Sequence, residues 1–160
     1  MPTEDPATAA PVPAPVAAAR ACVVRLGDRS FAVDVADARE VVTLETTTPV
    51  PGAPDSVLGV MNLRGHVLPV VEVRPLLGLA ARVAADRALV LADGDRRAAV
   101  VIEAVIGLTT LEGVRPTIDP ALAHVAVGEI DVDTGGHATL LDGPAVLAAL
   151  RQVWDPVSGG

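Results

Sequence analysis

The chain predicts a mainly β protein with only a few short helices, and three observations carry that expectation. Valine, leucine, isoleucine and alanine supply almost all of its 51% apolar content, because Phe31 and Trp154 are the only aromatic residues. Branched side chains lose little extra freedom on a pleated surface, so a Val-rich interior favours strands. The apolar stretches are short, and turn residues separate them at close spacing, as in small barrels rather than parallel sheets. Two tight turns, Arg64-Gly65 and Gly94-Asp95, each join a pair of such stretches.

Residues 1–20, MPTEDPATAAPVPAPVAAAR, hold five prolines and no apolar period, and read as a disordered tail. Order is expected from about Cys22. The run CVVRL leads through Gly27-Asp28-Arg29-Ser30 into FAVDV, where Phe31, Val33 and Val35 alternate with Ala32 and Asp34. Asp37 is placed to cap a short helix or turn over 36–42. Residues 46–56, TTTPVPGAPDS, form a loop. The stretch 57–79, VLGVMNLRGHVLPVVEVRPLLGL, reads as strand, turn, strand and a short helix near 74–79.

A second set follows the connector at 80–87. ALVLAD and RRAAVVIEAV flank Gly94-Asp95 as a hairpin, and residues 112–124 form a loop with two prolines. HVAVGEIDV then meets HATLL across Asp133-Thr134-Gly135-Gly136. Asp142 caps a closing helix over 143–151, with Pro144 in its first turn. Residues 154–160 read as a flexible end. The two halves echo one another: RGHVLPVVEVRPLL and GGHATLLDGPAVLA each run Gly-His, strand, acidic residue, Pro and an apolar helical turn.

Bulk properties narrow the function classes. At 160 residues the chain makes one domain or two small subdomains sharing a core. Its formal charge of −8 repels phosphate backbones, so nucleic acid is not an expected partner. No apolar run approaches the ~20 residues that cross a bilayer, and the N-terminus lacks a signal-like pattern, so a cytoplasmic location is expected. Cys22, the lone cysteine, reads as a small buried hydrophobe.

The catalytic inventory is thin. Lysine and tyrosine are missing, and Ser30, Ser56 and Ser158 lie outside any G-x-S-x-G setting. His66, His124 and His137 fit no close-packed ligand spacing, so neither a metal nor a cofactor is expected. The carboxylates Asp34, Glu40, Glu72, Glu103, Glu129, Asp131 and Asp142 are expected to keep an apolar chain soluble. A hydrolytic or ligand-binding pair hidden among them stays open as the alternative.

Arg64 stands apart, since a charge in the turn of the most apolar hairpin needs a reason. Either it reaches into water, or a carboxylate on a neighbouring strand holds its guanidinium as a rigid fork. Asn62, the chain's only asparagine, lies two residues before it.

This stretch resembles the signature of the CheW family, adaptor proteins of bacterial chemotaxis, whose pattern runs close to G-V-x-N-L-R-G-x-x-x-P-V-x-D-L-R. Gly59, Val60, Asn62, Leu63, Arg64, Gly65, Pro69, Val70 and Arg74 match, while Glu72 and Val73 depart from it. The likeness extends from about Cys22 to Leu150. It implies two small five-stranded SH3-like barrels around a shared apolar core within 21–153, roughly 21–80 and 81–153. It further implies a non-enzymatic adaptor between the histidine kinase CheA, through its regulatory domain, and the cytoplasmic tips of chemoreceptors. Such a protein sits at membrane receptor arrays without entering the membrane. The resemblance makes Glu40, which falls where the family has a glutamate, the candidate partner of Arg64. It assigns Arg64, Glu40, Ala38 and Asn62 to receptor binding, and Gly59 and Gly65 to kinase binding. Ala38 replaces a larger apolar residue and Glu103 a common aspartate, so an adaptor of a non-motility pathway is a variant of the same expectation.

Overall fold

Ten strands and one α-helix are laid down in the structure, a computed structural model that describes residues 19–80, 86–117 and 119–153. Most of the N-terminal tail, the middle of the connector and the 154–160 end lie outside the described residues. The strands are β1 (Arg20–Leu26), β2 (Arg29–Asp34), β3 (Ala38–Thr43), β4 (Val57–Leu63) and β5 (His66–Val71). They continue with β6 (Arg87–Asp93), β7 (Arg96–Ile102), β8 (Ala104–Thr110), β9 (Ala126–Asp131) and β10 (His137–Leu141). Helix α1 (Gly143–Val153) closes the chain, and 3-10 turns occupy Pro75–Leu77 and Pro120–Leu122.

The strands form two five-stranded sheets of one topology. One runs β8-β1-β2-β10-β9, the other β3-β6-β7-β5-β4. In each, two antiparallel hairpins meet at a short parallel seam, β2 with β10 and β5 with β7. Each sheet then closes on itself through one isolated bridge, Thr48 with Val60 and Arg115 with Glu129. The second sheet is a contiguous barrel drawn from residues 38–102. The first is a split barrel, assembled from both ends of the fold.

Three apolar cores explain the sequence pattern. Along β1, Ala21 and Val23 point into the split barrel, whereas Cys22, Val24 and Leu26 point out of it, into a core shared with the other barrel. On β6, Ala88 and Val90 fill the contiguous barrel while Leu89 and Leu91 join the shared core. Strands buried on both faces read as continuous apolar runs, and that is why ACVVRL, ALVLAD and RRAAVVI lack alternation. Alanines recur on the inward faces, where a small barrel has little room.

Four expectations need correcting. The sheets do not divide near residue 80, because β8, β9 and β10 complete the barrel begun by β1 and β2. Residues 36–42 are no helix: a turn at 35–37 is followed by β3, whose Glu40, Val41, Val42 and Thr43 pair with β6. Cross-strand pairing of β-branched side chains outweighs the capping signal of Asp37 there. The run RRAAVVIEAV is two strands, since the chain passes from one sheet to the other at Glu103. Order reaches back to Arg20, which pairs with Thr110 on β8.

Candidate functional site

The β4–β5 turn is built by its own residues. Arg64 and Gly65 both take positive φ, 51° and 85°, and Arg64 is the one non-glycine residue that does so among the described residues. Two left-handed positions match the twist of a tight hairpin. The Asn62 side chain accepts a hydrogen bond from the Gly65 amide at 2.9 Å, which holds the turn closed. Asn62 therefore shapes the loop that presents Arg64.

Glu40 reaches that turn from β3. The two guanidinium NH groups of Arg64 donate to the two carboxylate oxygens of Glu40 at 2.7 and 2.5 Å, a bidentate fork. Of the two alternatives for Arg64, this is the paired one. The arginine side chain stays 68% exposed and the glutamate 31%. Hydrogen bonding from Arg64 holds the Glu40 carboxyl below its ordinary range, and the same bond raises the already high pKa of Arg64. Both groups remain charged at neutral pH, with a fixed geometry that a plain surface arginine lacks. The same strands expose Val41 and Val67.

The other expected residues fall at distinct places. Ala38 lies on β3 before a bulge that precedes Glu40, partly buried against the shared core. Gly65 is exposed, with open space around its α-carbon. Gly59 is buried at a bulge in β4, where any side chain would overlap the Thr48 carbonyl oxygen. It therefore shapes the barrel wall and has no side chain to offer. The three histidines are exposed and belong to separate strands or loops.

One polar cluster escaped the sequence reading. Arg74 follows β5 and is 1% exposed, beside Glu72 at 3% and Glu103 at 21%. Its guanidinium donates to Glu72 at 2.6 Å and to Glu103 at 3.0 and 3.3 Å. The same Glu103 oxygen accepts the Gly27 amide at 2.6 Å. A signal was present, because Glu103 is a lone charge interrupting an apolar run. Paired carboxylates do meet here, and both accept hydrogen bonds from one guanidinium.

Comparison with known proteins agrees with this architecture. The family model described as "CheW-like domain" matches residues 20–151. The chain is 37% identical over 101 residues to "Chemotaxis protein CheW" of Rhizobium meliloti, covering 61% of this chain and 65% of that protein. It is 33% identical over 97 residues to "Probable chemotaxis protein CheW" of Rhizobium etli, covering 58% and 63% respectively. The chain thus spans just under two thirds of the length of these curated relatives. The crystal structure of the scaffolding protein TtCheW from Thermoanaerobacter tengcongensis superimposes with a TM-score of 0.69 at 20% identity, over 78% of this chain and 89% of that one. That likeness speaks for the fold. Taken with the match over most of its length, it follows that this chain belongs to the CheW family.

Proposed function

We propose that the protein is a non-enzymatic adaptor that couples the cytoplasmic tips of chemoreceptors to the regulatory domain of the histidine kinase CheA. The observation that carries this reading is the exposed, bidentate Glu40–Arg64 pair at the β4–β5 turn. A rigid, exposed polar fork offers a partner directional recognition, and it holds no activated nucleophile or acid–base pair. Arg64 and Glu40 would touch the receptor, with Ala38 beside them and Asn62 fixing the turn. Gly65 offers exposed backbone to the kinase, and Gly59 acts through the wall it shapes. Among the described residues no helix is long and apolar enough to cross a membrane. The setting we propose is the cytoplasmic face of a receptor array.

Reconstitution with kinase and receptor tests this directly. Arg64→Ala and Glu40→Ala should each lower receptor-dependent kinase stimulation by about tenfold or more, as loss of a central interfacial charged group does. The double variant should lose clearly less than the product of the two, because one interaction is removed twice. Melting temperatures should stay near the parent's, since the pair is exposed. Full stimulation in either variant would remove the pair from the interface.

A further inference from the structure

We infer that Glu103, Arg74 and Glu72 form a lock that fixes the angle between the two barrels. The chain passes between the sheets at two places, the turn at 35–37 and the single residue Glu103 between β7 and β8. At the first, backbone bonds do the fastening: Val35 donates to the Arg20 carbonyl in one sheet, and Ala92 in the other donates to the Asp37 carbonyl, both at 2.9 Å.

At the second crossing a side chain does it. The Glu103 amide donates to the Arg25 carbonyl of β1 at 3.1 Å. Its carboxylate takes the Gly27 amide from the β1–β2 turn of the split barrel and the Arg74 guanidinium from the end of β5 in the contiguous barrel. Glu72 grips the same guanidinium from the other side and also accepts the Arg74 amide at 2.9 Å. One carboxylate thus joins both barrels at the residue where the chain changes sheets.

The shared core gives the reason for such a device. It is built of valine, leucine and isoleucine around Phe31, and burial of such surfaces is non-directional. Cores of this composition tolerate repacking as long as volume is kept, so they hold two barrels together without dictating one angle. A guanidinium fork is directional, and displacing it would cost the buried Arg74 these bonds. In the adaptor reading, two docking faces on different barrels would then meet their partners at a set angle. The lock itself stands on the geometry of the cluster, so failure of that reading would leave it untouched.

The test places spin labels on Cys substituted at Thr43 and Asp131, one exposed position on each barrel, in a Cys22→Ala background. Glu103→Gln keeps an acceptor for the Gly27 amide but loses the charge that holds Arg74. Its distance distribution should broaden beyond the parent's, and Glu103→Leu should broaden it further. The Gly27 amide should exchange faster by about tenfold or more while the strand amides of both sheets keep their protection, because only the lock is released. An unchanged distribution in both variants overturns the proposal. Hydrogen exchange of the unsubstituted protein decides the matter even if neither variant folds. The Gly27 amide should be protected like the strand amides while the protein is folded, and exchange at the rate of an open turn would also overturn it.

Discussion

The two barrels share one plan and differ in how each ties down its outermost hairpin. In both, a hairpin tip is tethered to the strand that begins the closing segment, β3 in one and β8 in the other. The contiguous barrel uses Arg64 of the β4–β5 turn and Glu40 of β3. The split barrel uses Asp133 of the β9–β10 turn, which accepts from the amide and hydroxyl of Thr110 at 3.2 and 3.3 Å and donates its own amide to Thr109 at 2.8 Å. A threonine–aspartate latch thus holds this hairpin tip, while Arg115, at the closing bridge, pairs with Asp131 of β9 at 3.1 Å. In the contiguous barrel the hairpin tip itself carries the charge, and Glu40 orients a guanidinium that stays 68% exposed.

The sharpest way to break the likeness of the two barrels is at their closures. Gly59 and Gly128 each precede the bridging residue, Val60 and Glu129, and each lies against the carbonyl that the bridge uses. A methyl group at either would overlap backbone oxygen, at Thr48 or Arg115, where no side chain can yield. Gly59→Ala and Gly128→Ala should each cost about 2–4 kcal/mol in denaturant unfolding, near the upper range for single substitutions. Gly59→Ala should be at least as harmful, because its φ of 152° disfavours any side chain.

The tethers come next. Thr109 is fully buried, and its hydroxyl receives the Asp133 amide, so Thr109→Val should cost about 1 kcal/mol, independent of salt. The Glu40–Arg64 tether should contribute little stability, and that little should depend on salt and acid. Its sign follows from the depressed Glu40 carboxyl: the contribution is complete above the ordinary value of 4.5 and is lost as pH falls through the lower folded value. Urea midpoints of Glu40→Gln and the parent should therefore converge in acid.

The smallest effect lies at the first crossing between the barrels. Burial, then the charges of Asp34, Asp142 and Asp93, raise the Asp37 carboxyl above its ordinary 3.8, with Arg39 opposing. The folded state thus binds this proton more tightly than the unfolded one, and stability declines as pH rises from 3.8 through the raised value. Asp37→Asn should raise the melting temperature at neutral pH and leave it unchanged well below 3.8. A neutral-pH loss would mean that the carboxylate is needed beside Gly143, the first residue of α1, whose α-carbon has no room for a methyl against it.

Much of this molecule was legible in its sequence, for reasons that can be named. The Arg64-Gly65 and Gly94-Asp95 turns appear where expected, because their flanking apolar runs leave no other register. The 143–151 helix forms with Asp142 accepting the Ala145 amide at 3.1 Å. The echo between RGHVLPVVEVRPLL and GGHATLLDGPAVLA is real in space, since β5 and β10 hold equivalent places in the two sheet orders. Sheet membership was not legible, because the partner of a hairpin more than 70 residues away leaves no local mark. Strand β3 was misread from Asp37, a residue whose capping signal serves a turn. A carboxylate partner for Arg64 could be suspected from chemistry and Glu40 from the family resemblance, whereas the Arg74 cluster required seeing three distant segments converge.

The division between a contiguous and a split barrel also sets an order of events during synthesis. Residues 38–102 carry every strand of one barrel, so it can close as soon as β7 clears the ribosome. The β1–β2 hairpin emerges first yet must wait for β8, β9 and β10, which at about 5–20 residues per second means several seconds. Through that interval its shared-core face, Cys22, Val24, Leu26, Phe31 and Val33, has only the newly closed barrel to rest on. The first hairpin of this fold is thus the last to find its sheet, and of the two barrels it is the part most in need of a chaperone's cover.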